Sequence, residues 1–315
     1  MGKELDVTDL SHTETTLPYS LAYSNFTNQL HMLSFMSEHP RLKVILVKKN
    51  GEILSIFQID ERTDLKIIRV LGEPDSILIE FIKAKYDPDV IIRVFSLCEA
   101  PLTTFNEYYV KGGNIDESKF YELIPERYKK YIKAERKNEN IQYLSPTNKK
   151  SEIIKEIYRF LDTWKIQTGV DPKLDRQLMD KWIETDLGHM RYLWDSKINK
   201  IVGYALFSVS NYRGTKQGTV ISSHSNKVLR GYSQLGTLLK IKTLLEIKNL
   251  YPDVEIITLG TEGTSTQKSF KETFLPLGGK FEHKFELLSK KEHVEIDGTL
   301  LKMIKTMWIS DFMHS

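Results

Sequence analysis

A single cysteine, Cys98, stands in a chain of 315 residues, so no internal disulfide can form and no cysteine-rich zinc site can be built. That usage fits a reducing compartment. No run approaches the roughly 18 uncharged residues of a membrane-crossing helix, and the first ten residues lack an apolar signal segment. The expectation is a cytoplasmic protein with no membrane span. Charge of one sign is missing too: 45 Lys and Arg face 42 Asp and Glu, a formal net charge of +3. The molecule as a whole is therefore no electrostatic magnet for nucleic acid, and any basic surface must be local. There is no G-x-G-x-x-G, no Walker loop, no His-Glu-x-x-His and no G-x-S-x-G. Metal-dependent, nucleotide-hydrolysing and serine-hydrolase readings gain no support, and no metal is expected.

What is present is enough apolar residue, 40% of the chain with 10% aromatic, to fill one or two cores, and the length favours two domains. Phe26, Leu30, Leu33 and Phe35 recur at helical spacing over 24–38, and Pro40 closes that helix. Leu42 to Val47 and Ile53 to Ile59 form a hairpin across Asn50-Gly51, a pair suited to the positive φ angles of a tight turn. A strand at 65–71, a helix at 76–86 and a strand at 90–97 follow. Residues 103–146 are charged and tyrosine-rich, with a helix near 124–135, and read as a connector.

The second half repeats the order. Helices are expected at 151–168 and 174–185, a hairpin at 190–194 and 200–208, a strand at 218–223, a helix at 236–250 and a strand at 254–259. A short helix at 266–275 and a strand at 280–288 complete it. Leu301, Ile304, Trp308 and Phe312 then mark a closing helix. Equal element order in two halves suggests internal duplication, against the alternative that mixed α/β chains share such orders by chance.

The passage Ser223 to Leu239 carries the chemistry. A strand leads through a loop with Arg230, Gly231 and Ser233 into a long helix at Gly236 whose first turn has no acid. Unpaired N–H groups and the positive end of the helix dipole can hold a pyrophosphate there. Leu229, Arg230, Gly231, Ser233, Gly236 and Thr237 are the candidate donor-binding residues; the competing reading is that the glycines only shape a connector.

Arg230 to Leu239 resembles the Arg/Gln-x-x-Gly-x-Gly/Ala loop of the GNAT superfamily of N-acyltransferases, with Ser233 in place of the first glycine and Gly236 one residue late. The spelling Tyr232-Ser233-Gln234-Leu235-Gly236 is similar to the divergent branch that includes Fem-type proteins. Ser269-Phe270-Lys271-Glu272-Thr273-Phe274-Leu275-Pro276 resembles the Phe-Lys-x-x-Phe-x-Pro segment of lysyl-phosphatidylglycerol synthases and Fem-type relatives. The resemblance covers about residues 150–290.

It implies an α/β fold of two tandem GNAT-like domains, each a mixed, mostly antiparallel sheet flanked by helices. The boundaries expected are a polar leader at 1–20, a degenerate domain at 21–110, a connector at 111–150, an acyltransferase domain at 151–290 and a docking helix at 291–315. It also implies acyl or aminoacyl transfer from acetyl-CoA, another acyl-CoA or aminoacyl-tRNA to an amine or hydroxyl acceptor. Alternatives are a nucleic-acid base-modifying transferase, with tRNA or DNA as partner, and a binding or scaffold protein without catalysis.

Glu262 and His224, just past strand ends beside the loop, are the candidate bases, with a solvated carboxylate and a structural histidine as competing readings. Lys271 is a candidate to neutralise a phosphate, a carboxylate or the oxyanion of acyl transfer. Phe270 and Phe274 read as core. Tyr108, Tyr109 and the run Arg127 to Lys137 are where tRNA contact would be sought, though interspersed acids favour a solvated face. In the first half, Glu73 and Asp75 precede the helix where a phosphate would sit, so that half is expected to have lost any donor site.

Overall fold

The computed structural model describes residues 5–9, 42–49, 52–61, 64–71, 76–94, 98–146, 150–169, 172–185, 188–212, 215–225, 234–261, 265–301 and 304. By backbone packing the chain divides into two units, with boundaries between Asn106 and Glu107 and between Phe281 and Glu282.

The first unit holds β1 (Leu5–Asp9), β2 (Leu42–Lys49), β3 (Glu52–Asp60), β4 (Ile67–Leu71), helix α1 (Ser76–Tyr86) and β5 (Val90–Val94). β1 to β4 pair antiparallel in sequence order, β4 and β5 pair parallel around α1, and β5 pairs antiparallel with Phe285 to Lys290 of the last strand. The β2–β3 register ends at Lys49↔Glu52; the Asn50-Gly51 turn expected from the sequence lies outside the described residues. Leu78 and Ile82, four apart on α1, are fully buried against Phe57, Ile68, Val70 and Ile91. Each such side chain contributes roughly 2 kcal/mol. Between β3 and β4 a buried ion pair joins Arg69 to Asp60 at 3.2 Å.

The second unit begins within β6 (Thr103–Lys111) and continues through α2 (Glu117–Leu123), α3 (Pro125–Lys137), β7 (Ile141–Leu144), α4 (Lys150–Thr168), α5 (Lys173–Thr185), β8 (His189–Asp195), β9 (Lys200–Tyr212) and β10 (Thr215–Ser225). Helix α6 (Leu235–Leu250), β11 (Ile256–Thr261), α7 (Ser265–Glu272) and the start of β12 (Gly278–Lys290) complete it. β7 to β10 pair antiparallel in order, β10 and β11 pair parallel around α6, and β11 pairs antiparallel with Glu107 to Lys111 of β6.

The two units thus share one plan. Among the described residues, each has four antiparallel strands in sequence order, a parallel pair bridged by a helix, and a sixth strand drawn from the other half of the sequence. Agreement in strand order, sense and crossover position is what duplication of one ancestral unit produces.

Residues 103–111 and 141–144, read from sequence as connector, are strands here, and 117–137 forms two helices. Their partners, β11 and β8, lie far along the chain, so nothing local announces the pairing. The helix expected at 24–38 lies outside the described residues, as does most of the closing helix; of the latter, 298–301 is helical, and Leu300 and Ile304 are buried. Among the described residues, no helix is long and apolar enough to cross a membrane.

In the second unit the sheet is covered on both faces. Tyr204 and Leu206 of β9 face α4 and α5 with Phe160, Leu161 and Trp182, whereas Ala205 and Phe207 face the opposite core with Leu238, Leu239 and Ile241 of α6. Alternation along one strand places α4 and α5 on one side and α6 on the other. Any group held at the carboxyl ends of β10 and β11 is therefore approached from two different surfaces.

Candidate functional site

β10 and β11 run side by side only at their starts. The register is Gln217↔Ile256, Gly218↔Ile257 and Thr219↔Thr258, and the hydroxyl of Thr258 donates to that of Thr219 at 3.2 Å. Beyond those threonines β10 continues to Ser225 and β11 to Thr261 without further pairing to one another. Each strand also carries an irregularity at this level, at Ile221 against β9 and at Leu259 against β6. An extra residue bends a strand and increases its twist, so paired bulges on neighbouring strands part them. The opening lies at the carboxyl ends of parallel strands, where α/β sheets bind ligands.

Helix α6 starts at the mouth of that opening. Its N-cap, Gln234, has φ 57, a left-handed conformation that costs a non-glycine residue about 1 kcal/mol, and it makes no side-chain capping bond. The N–H groups of Thr237 and Leu238 return to the Gln234 carbonyl at 2.9 and 3.0 Å. Neither Leu235 nor Gly236 donates its N–H to an acceptor among the described residues. The first turn has no acid, and a β-carbon on Gly236 would lie 3.2 Å from the Ser225 hydroxyl, so helix and strand end nearly touch.

Three cations gather around this helix start. Arg127 of α3 donates to the Thr237 hydroxyl at 3.0 Å and stacks over Phe270 of α7 at 4.7 Å. It faces no carboxylate among the described residues, and burial pulls its guanidinium below the ordinary arginine value. Lys240, in the second turn of α6, is 8% exposed and has no hydrogen-bond or ion-pair partner among the described residues. Burial, reinforced by repulsion from Lys271, lowers its ammonium to about 7. Lys271 of α7 is lowered by burial to about 8, with the Glu107 carboxylate acting the other way.

On the opposite face, one carboxylate oxygen collects three donors. Asp175 Oδ1 accepts from Ser222 Oγ at 2.6 Å and Tyr204 Oη at 2.9 Å, and pairs with His224 Nε2 at 3.0 Å. Burial pushes the Asp175 carboxyl up, but His224 and the two hydroxyls outweigh it and hold the group below the usual carboxylate range. The His224 ring is packed between Trp164 and Tyr204, with centroids at 4.6 and 5.6 Å. Asp175 thus fixes the imidazole's orientation through Nε2.

Of the residues expected from sequence, Gly236 and Thr237 lie at the α6 start, His224 lies in the couple with Asp175, and Lys271 lies in the cation group. Leu229, Arg230, Gly231, Ser233 and Glu262 lie outside the described residues. Phe274 is fully buried core, as expected, while Phe270 is half-buried beneath Arg127. Tyr108 is core, and Tyr109 stacks on Phe281 at 4.2 Å.

Lys240 and Asp175 went unremarked in the sequence, and Arg127 stood there only within a run expected to be a solvated face. Lys240 has a signal in retrospect. A helix with Leu235, Leu238, Leu239, Ile241, Leu244 and Ile247 buried is enclosed on most sides, so a charge within that run must be buried as well. Asp175 has none, because an acid in a first helical turn reads as a partner of the helix dipole.

No protein-family model matches the sequence, and no curated protein matches it. Solved structures do. A conserved Bacteroides thetaiotaomicron protein of unknown function superposes with a TM-score of 0.65 at 10% identity, over 86% of this chain and 93% of its own. The C-terminal domain of an Agrobacterium fabrum protein assigned as a lysylphosphatidylglycerol synthetase gives 0.59 at 12% identity, over 93% and 96%. FemX gives 0.50 at 9% identity, over 78% and 88%.

Proposed function

We propose that this chain, which has a tandem GNAT fold, transfers an acyl or aminoacyl group from a phosphate-bearing carrier, acyl-CoA or aminoacyl-tRNA, to an amine or hydroxyl. The observation that carries the proposal is the start of α6: amide N–H groups without protein acceptors among the described residues, and cations around them, beside two strands that part. A helix N-terminus favours anions, and Arg127 adds a charge-assisted donor in the same place.

The roles follow from the two faces. The carrier's phosphates occupy the α6 start, and its acyl group enters between β10 and β11. The acceptor comes from the α4 and α5 side, where His224, steadied by Asp175, takes its proton. The acceptor's nitrogen or oxygen bonds to the acyl carbonyl, the tetrahedral oxyanion collapses, and the carrier's thiol or ribose hydroxyl leaves with a proton. No covalent bond to the protein forms, so Cys98 has no part.

Transfer is assigned to the second unit alone. In the first, β4 and β5 stay paired over all of β4, from Ile67↔Val90 to Leu71↔Val94, and Arg69 is already joined to Asp60. Glu73 and Asp75 lie outside the described residues. Calorimetric titration with acetyl-CoA, longer acyl-CoAs and charged tRNA tests the assignment. Saturable heat with one carrier class is expected; no heat with any of them removes the enzyme reading and leaves a binding or scaffold protein.

A further inference from the structure

Lys240 asks for a ligand that the carrier's phosphates do not supply. Residues 236, 240 and 247 share one side of α6, since steps of four and seven return to the same face. That side faces the sheet at both ends. Gly236 lies against Ser225 at the end of β10, while Ile247 reaches the backbone of Gly218, whose Ile257 partner stands in the paired part of β11. Lys240 lies between these two anchors, over the stretch after Thr219 where β10 and β11 separate. Helix side chains lean toward their own N-terminus, and Gly236, one turn earlier, offers no side chain to block the stem.

The Lys240 stem is therefore directed along the sheet side of α6, toward the opening. Arg127 and the α6 amides already serve the mouth. On the sheet side, Lys240 stands near Lys271 with no carboxylate partner among the described residues, and the nearby acid, Glu107, acts on Lys271. A buried ammonium without a partner is costly, and it either gives up its proton or is completed by a bound anion.

Resting on the donor reading above, we infer that Lys240 is a specificity residue: it pairs with a carboxylate on the transferred group itself, so that the preferred donor carries a dicarboxylic acyl or acidic aminoacyl group. A neutral acyl group would leave the ammonium buried and unpaired, and a cationic aminoacyl group would be repelled by both lysines.

The test compares acyl groups on a fixed carrier. Dissociation constants are measured for CoA, butyryl-CoA and succinyl-CoA, and in parallel for one tRNA body charged in turn with glutamate, alanine and lysine. On whichever carrier binds, the anionic group is expected to bind at least tenfold tighter than the neutral one, and lysyl-tRNA more weakly than alanyl-tRNA. In Lys240→Met, checked for an intact melt, the anionic-to-neutral ratio is expected to fall below about twofold. Equal affinity of anionic and neutral groups on a carrier that does bind overturns this inference and spares the transferase reading. A preference that survives Lys240→Met overturns the role of Lys240. Failure of every carrier overturns both.

Discussion

Replacing Lys240 by methionine should stabilise the second unit, and by an amount that depends on pH in a defined direction. Burial, with repulsion from Lys271, holds the ammonium near 7 against an ordinary 10.5. The unfolded chain therefore keeps a proton that the folded chain releases between these values, and stability rises with pH across that window. Each pH unit is worth about 1.4 kcal/mol, which gives a ceiling near 5 kcal/mol below pH 7. Structural relaxation and some water access reduce this to about 3 kcal/mol. Methionine fills nearly the same volume with no charge, so the variant should melt about 6–12 °C higher than wild type at pH 6. The gap should close as pH approaches 10.5. Thermal melts of both proteins from pH 6 to 10 measure it, and the difference between them cancels the titrating groups that do not act on Lys240, which leaves Lys240 and its neighbour Lys271. A variant less stable than wild type at pH 6, or a difference that does not change with pH, would refute the placement of Lys240 as a buried cation with no partner among the described residues.

Asp175→Ala strands Tyr204, Ser222 and His224 together and should cost about 2–4 kcal/mol in denaturant unfolding. Because the Asp175 carboxyl is held below its unfolded value, its contribution is present above pH ~4 and is lost as pH falls through the folded value. An acid titration of stability should therefore be flatter in Asp175→Asn than in wild type. His224→Asn should lower turnover about 10²-fold with little change in carrier affinity, as single-turnover and binding measurements would separate. Arg127→Ala should weaken carrier binding about tenfold and reduce its salt dependence, because one charge-assisted contact is lost at the helix start. Gly112→Ala should destabilise the protein by more than about 3 kcal/mol, since its β-carbon would meet the Val254 carbonyl oxygen at 1.7 Å.

Local pattern carried most of the fold. The α1 and α3 to α6 helices and the β2–β3 and β8–β9 hairpins could be read within a few residues, because each announces itself by its own period or turn. What the pattern withheld was long-range. β6 carries a buried Glu107 and three aromatic residues in an irregular order of buried and exposed positions, and its partner β11 starts at Ile256. No local rule assigns such a segment to a sheet. The exchange of final strands between the two halves was invisible for the same reason.

The candidate site divides similarly. The helix start and His224 could be suspected from a loop that leads into an acid-free helical turn. The partner that makes His224 more than a lone imidazole is Asp175, 49 residues away on α5. Arg127 comes from α3, which in sequence resembles a solvated helix with its Lys129–Glu126 pair three residues apart. Only the packing of α3 beside α6 distinguishes its one inward cation from the rest.

The most direct test of the central claim is amide spectroscopy at the start of α6 during titration with CoA, and separately with a charged tRNA. If this helix start holds the carrier's phosphates, the Leu235 and Gly236 amides and the Arg127 guanidinium should shift together and saturate at one ligand per chain. Saturable binding that leaves those three signals unmoved would place the carrier elsewhere and contradict the account.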